Sequence, residues 1–406
     1  MLDTKNYSEN NLNNNFALQM AIIPFMAFYV LWQMPIVAIY MNTYVAMIIL
    51  VVSFILVVFA TRYYRVPLTL TITMLVYMLL SFLIFEFRGM SILNNVWSQF
   101  LIFWPIVIGI QIVLHKLDWV VKITVPLIII TQVITIITTY LGLEIFPEAS
   151  RLLATGQNVD LYYRYNIGGF SFIYSLAILH PIVVGILRIK GRNLLCVLYT
   201  VITALCVFRS AYTLAALLFI ISCVAYVLPL SVDKRKIKNR MVLIVICLIL
   251  VLVFIPTILD SLARWDLLEG SSSKIQDIAN IFRGEETQDN DTSARMSAYM
   301  ESFEAIWDSA FMGSVILNGK EQSGGHSFIL DYIANWGILG IGIIASLYGS
   351  FHKVYKHLSA KKEIYGFVIL SLVLSFVLAI VNPKFDFEIF GLMIPFMIRY
   401  VSMENR

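Results

Sequence analysis

The stretch "GGHSFILDYIANWGILG", residues 324–340, places a histidine, an aspartate and an asparagine in or beside an apolar run long enough to cross a bilayer. His326 is the group best suited to move a proton, because an imidazole takes up and releases one near neutral pH. Three arginines stand out beside it: Arg164 in "DLYYRYNIGGF", Arg209 in "FRSAYT" and Arg295 in "DTSARMSAYM". Guanidinium forks bind phosphate oxygens bidentately, so a proton acceptor combined with several arginines suits group transfer from a lipid-borne diphosphate. No carboxylate or histidine cluster has metal-ligand spacing, so the reading expects no metal and no cofactor.

The elements that position these residues follow from composition. Of 406 residues, 60% are hydrophobic and only 13% charged, as expected of a polytopic membrane protein. Apolar runs at about 16–37, 43–60, 67–85, 97–114, 120–142, 168–187, 193–208, 211–230, 241–260, 326–349, 363–382 and 386–401 predict about twelve transmembrane helices in one polytopic domain, residues 1–406. No cleavage site follows the first run, so that run is expected to be retained. With both termini in the cytoplasm, about two-thirds of the lysines and arginines fall on the inner side, including "DKRKIKNR" at 233–240. His115, His352 and His357 then lie at cytoplasmic ends and His180 deep in a span, which leaves His326 alone at the outer face. The four cysteines sit in apolar runs as packing residues.

Two outward connections exceed simple turns, at 143–167 and 261–325. The longer one, between the ninth and tenth spans, carries 11 acidic residues against 5 basic ones, which argues against nucleic acid as a partner. Within it, Met296, Tyr299, Phe303, Ile306 and Ala310 recur at helical spacing after a cap at Asp291 or Thr292. Arg295 falls in the first turn, where a cation gains nothing from the helix dipole; it is either a ligand or a solvated surface charge.

Arg209 follows a short span and either snorkels to the interface or binds an anion. Tyr163 beside Arg164 suits sugar stacking or an aromatic belt. Gly324 and Gly325 allow close backbone approach to a ligand at His326. Eleven residues on, Gly337 returns to His326's helix face, continued by Gly340 and Ile344 as a small-residue packing stripe. Asp331 and Asn335 share the opposite face, either as a packing pair or lining a polar cavity.

Taken together, "HSFILDYIANWGILG", "RMSAYMESFEAI", "FRSAYTLAALLF" and "RYNIGGFSFIYSLA" resemble, in order and spacing through residues 164–340, the O-antigen ligase and Wzy polysaccharide polymerase superfamily. Ser327 and Asn335 depart from residues usual there. The resemblance implies an inverting, metal-independent GT-C glycosyltransferase that moves glycan from undecaprenyl diphosphate to a sugar hydroxyl at the outer face of the bacterial cytoplasmic membrane. It implies His326 as base, and Arg209, Arg295 and Arg164 as diphosphate ligands. Expected partners are lipid-linked repeat units, membrane lipid and a chain-length regulator. A polymerase of O-antigen, capsule or exopolysaccharide is the leading reading. The alternatives are a ligase with a lipid-core acceptor and a flippase, the latter disfavoured by the lack of repeated halves.

Overall fold

A computed structural model describes residues 10–61, 63–210, 212–228, 261, 290–359, 363–383 and 385–404. The ninth predicted span at 241–260, the basic run at 233–240 and the first part of the long loop lie outside the described residues.

Helix follows the apolar runs because a chain in lipid must satisfy its amides within each segment. The first run divides: α1 (Asn10–Trp32) stops before Pro35, whose missing amide suits the first turn of a new helix, α2 (Pro35–Tyr40). α3 (Thr43–Thr61), α4 (Leu68–Phe87), α5 (Ile92–Leu114) and α6 (Asp118–Ile145) come after it, then two short helices in the 143–167 connection, α7 (Ala149–Ala154) and α8 (Val159–Arg164). Next come α9 (Phe170–Ile189), α10 (Asn193–Arg209) and α11 (Thr213–Ser222), the last tightening into a 3₁₀ turn at Cys223–Tyr226. After the long connection come α12 (Asn290–Asp308), α13 (Ser314–Asn318), α14 (Phe328–Ser359), α15 (Tyr365–Val381), a π turn at Ile389–Met393 and α16 (Ile394–Glu404).

The described residues contain no strand, and five helices, α4, α5, α6, α9 and α14, are long and apolar enough to cross a membrane. The architecture is that of an all-α membrane protein. Of the five, α9 is the most buried, and it packs against α10, α11, α15 and α16. The π turn meets α5 backbone to backbone: a Cβ on Gly109 would lie 2.2 Å from the Gly391 carbonyl oxygen. Away from the loops, Arg399 grips Asp118 with a fork, Nη2 donating to Oδ1 at 2.6 Å and to Oδ2 at 2.9 Å.

α14 is not one straight rod. Gly337 adopts φ 57° and ψ −135° within it, and the backbone of 311–313 fills the break. The Ile338 amide donates to the Phe311 carbonyl at 2.9 Å, and a Cβ on Gly337 would lie 2.0 Å from that same oxygen. The expected stripe of His326, Gly337, Gly340 and Ile344 therefore does not form. Its register ends at the break, and Gly337 accommodates a loop instead of a neighbouring helix.

Candidate functional site

A cavity of about 1670 Å³ opens at the end of the bundle where residues 143–167 and 290–327 gather. Arg151 and Tyr163 line it from the first segment, and Arg295, Tyr299 and His326 from the second. Below them it runs between α1, α5, α6 and α9, past Tyr29, Trp32, Leu101, Gln132 and Phe170. Asn382, Pro383 and Phe385–Glu388, which follow α15, close the far wall.

His326 is held in place through the first turn of α14. The Leu330 amide donates to Ser327 Oγ at 3.0 Å, and the Ser327 amide donates to Asp331 Oδ2 at 2.9 Å, a reciprocal cap that fixes how the chain enters α14. The other carboxylate oxygen of Asp331 accepts from Ser302 Oγ at 2.6 Å, and Ser302 Oγ accepts from the Gly324 amide at 3.0 Å. One aspartate thus fastens the start of α14 to α12, the helix that carries Arg295. Gly324 permits this contact, since a Cβ there would lie 1.9 Å from the Ala298 carbonyl oxygen. The paired glycines were expected to admit a ligand; at Gly324 the close approach is to α12.

Asp331 and Asn335 do not bond to each other. Asn335 Oδ1 accepts from Ser314 Oγ at 3.2 Å and from the Gln322 amide at 3.1 Å, while its Nδ2 donates to Ser323 Oγ at 3.4 Å. It secures the residues just ahead of the histidine. Glu321, in that same segment, receives Arg88 Nε at 2.9 Å, and this bond is the main reason the Arg88 guanidinium sits above its ordinary pKa.

The cavity is charged on more than one side. Arg151 and Arg295 both act electrostatically on the Tyr212 hydroxyl, which donates to the Ser150 carbonyl at 2.7 Å. Tyr299 donates to the Val381 carbonyl at 2.7 Å; burial raises its phenol, Arg295 pulls it back and Asp331 adds to the rise. Asp386 and Glu388 line the cavity as well, and the Tyr29 hydroxyl donates to Glu388 Oε2 at 3.1 Å. Asn382 is 4% exposed, and its side chain lies within hydrogen-bonding reach of the Tyr174 hydroxyl.

His326, Arg295 and Tyr163 therefore come together, while the other two arginines stand apart. Arg209 is not among the lining residues; its Nε lies 3.2 Å from Glu144 Oε1, an ion pair without hydrogen-bonding angles. Arg164 is exposed at the end of α8 and also stands outside the lining, although its neighbour Tyr163 belongs to it. Ser327, Asp331, Asn335 and Gly337 form the support behind the wall.

No protein family, characterised protein or solved structure matches the chain.

Sequence reading missed Arg151, Asp386 and Glu388. The last two belong to the charged segment "FDFE" at 385–388, all four residues of which line the cavity. Among the described residues, no three His, Cys, Asp or Glu side chains are grouped to hold a metal ion.

Proposed function

We propose that the protein is a polysaccharide polymerase of the bacterial cytoplasmic membrane, joining lipid-linked repeat units of an O-antigen, capsule or exopolysaccharide. The observation that carries this reading is the sharing of one cavity by His326, Arg295 and Arg151 in a chain of membrane architecture. In the proposed reaction, the acceptor sugar's hydroxyl gives its proton to the His326 imidazole as its oxygen bonds to the donor's anomeric carbon. The bond from that carbon to the phosphate oxygen breaks with inversion, and undecaprenyl diphosphate departs with its charge held by Arg295 and Arg151. Guanidiniums fixed in place ahead of the reaction stabilise the leaving charge without a divalent ion. Asp386 and Glu388 supply acceptors for sugar hydroxyls. In this reading twelve spans cross the membrane, both termini are cytoplasmic and the cavity opens outward, as the distribution of lysine and arginine favours.

The test is transfer by purified protein supplied with lipid-linked repeat units, without added metal or energy source. The wild-type protein should lengthen glycans. His326→Ala should insert normally and stop at single units, since loss of a general base costs about 10²- to 10⁴-fold. Wild-type chain lengths from that variant would remove His326 from catalysis. Transfer to a lipid core and not to another repeat unit would make the protein a ligase, and relocation of the lipid without bond formation would make it a flippase.

A further inference from the structure

α12 presents three chemically different faces, each roughly a third of a turn from the next at about 100° per residue. Ala298, Ser302, Ala305, Ile306 and Ser309 form the face buried against the bundle. Glu301, Glu304 and Asp308 form an exposed acidic face. Met296, Met300, Phe303 and Trp307 fall within about 60° of one another on the third face, and all are exposed, Trp307 at 75%. Sequence spacing had grouped Met296, Tyr299, Phe303, Ile306 and Ala310 as one apolar face. Folding divides that set: Tyr299 and Ile306 turn to the protein, Met296 and Phe303 turn away, and Ala310 lies beyond the helix.

The third face joins a surface whose surroundings are set by composition. Trp307 meets Phe311 edge to face with ring centroids 6.0 Å apart, and the Phe311 carbonyl takes the Ile338 amide. From the break onward, Ile338, Leu339 and Ile341 expose apolar side chains on a helix long and apolar enough to cross a membrane. The uncharged run 338–351 that follows the break rises about 21 Å before His352 and Lys353, so Ile338 lies in the outer part of a hydrocarbon layer about 30 Å thick. The stripe on α12 continues outward from that level.

We propose that α12 lies on the bilayer surface, with Met296, Met300, Phe303 and Trp307 in the boundary between headgroups and acyl chains and the acidic face in water. Protein, lipid and water each then take one face. A lipid surface fits this stripe better than a protein partner because the stripe is continuous with the lipid-facing side of α14 and ends in tryptophan, a residue enriched at membrane interfaces. Arg295, on the cavity side of the same helix, is thereby held at the depth of lipid phosphates. The proposal requires only that the chain spans a membrane, and it holds whatever His326 does.

The test places a bimane label at cysteines introduced by F303C, W307C, E301C and E304C, in full-length protein reconstituted into phosphatidylcholine–phosphatidylglycerol vesicles, with unsubstituted protein as the labelling blank. Labels at 303 and 307 should be quenched by nitroxide-bearing lipid at least about twofold more than labels at 301 and 304, and less by aqueous iodide. Iodide quenching at 303 and 307 equal to that at 301 and 304 would overturn the proposal. So would shielding from both quenchers, which would mean that protein covers the stripe. A second reading needs no new cysteine: brominated lipid should quench wild-type fluorescence more than that of Trp307→Phe, and equal quenching would also overturn it.

Discussion

His326 differs from the other described histidines in the set of groups that hold it. His180 is enclosed between Ser222 Oγ at 2.8 Å and Thr200 Oγ1 at 2.9 Å and is not part of the cavity lining, whereas His326 lines the cavity and its neighbour Ser327 is fixed by Asp331. Asp331→Asn keeps the size of that side chain but loses one acceptor oxygen, so either the Ser327 amide is stranded or Ser302 Oγ falls back on its longer bond to the Ala298 carbonyl at 3.3 Å. A buried donor left unpaired costs about 1–3 kcal/mol. We expect transfer to fall about tenfold while membrane insertion is retained, measured as turnover on lipid-linked repeat units. The arginines separate in the same assay. Arg295→Lys and Arg151→Lys keep the charge but lose the fork, so donor use should weaken in both variants. Arg209, paired with Glu144 outside the lining, should show its effect in the stability of the α6–α10 contact, read from the thermal midpoint of Arg209→Lys.

At the scale of elements, the glycines of α14 give opposed expectations. Gly337→Ala forces φ 57° with ψ −135° on an alanine, costing about 1–3 kcal/mol before the Phe311 carbonyl is displaced. The thermal midpoint should drop and limited proteolysis within 309–327 should accelerate; an unchanged midpoint would argue against the break. Gly342→Ala, in the same helix with nothing within 4 Å of the added Cβ, should be neutral or gain up to about 1 kcal/mol. The contrast marks where sequence was legible. Helix positions could be read because lipid demands long apolar runs, and the observed α3, α4 and α6 begin and end within a few residues of theirs. The break at Gly337 could not be read, because helical spacing continues unbroken through "NWGILG" and only the distant residues 311–313 impose the turn. In the site, His326 and Arg295 were visible as polar residues where apolar ones prevail. Arg151 lies in an unremarkable loop sequence and gains meaning only when α7 folds over the cavity.

Across the whole molecule, the described part of the longer connection meets the bundle both through charged side chains and backbone to backbone. Arg88 and Glu321 form a paired fork between the end of α4 and the segment before His326, yet the Arg88 side chain is 52% exposed. A pair so exposed is worth up to about 1 kcal/mol and weakens with salt, so Arg88→Ala should change the thermal midpoint only slightly, and less still at high ionic strength. Substitutions at the Gly313–Gly337 contact should do far more, because there the two backbones meet directly. That contact makes residues 311–313 a surrogate turn for α14: the amide of Ile338, which a helix break would leave bare, is capped from outside the helix. Trimming this connection, or grafting one of different length, would uncap a membrane helix at its break. Transplanting the connection between chains should therefore succeed only when Phe311–Gly313 and the glycine that receives them travel as a single piece.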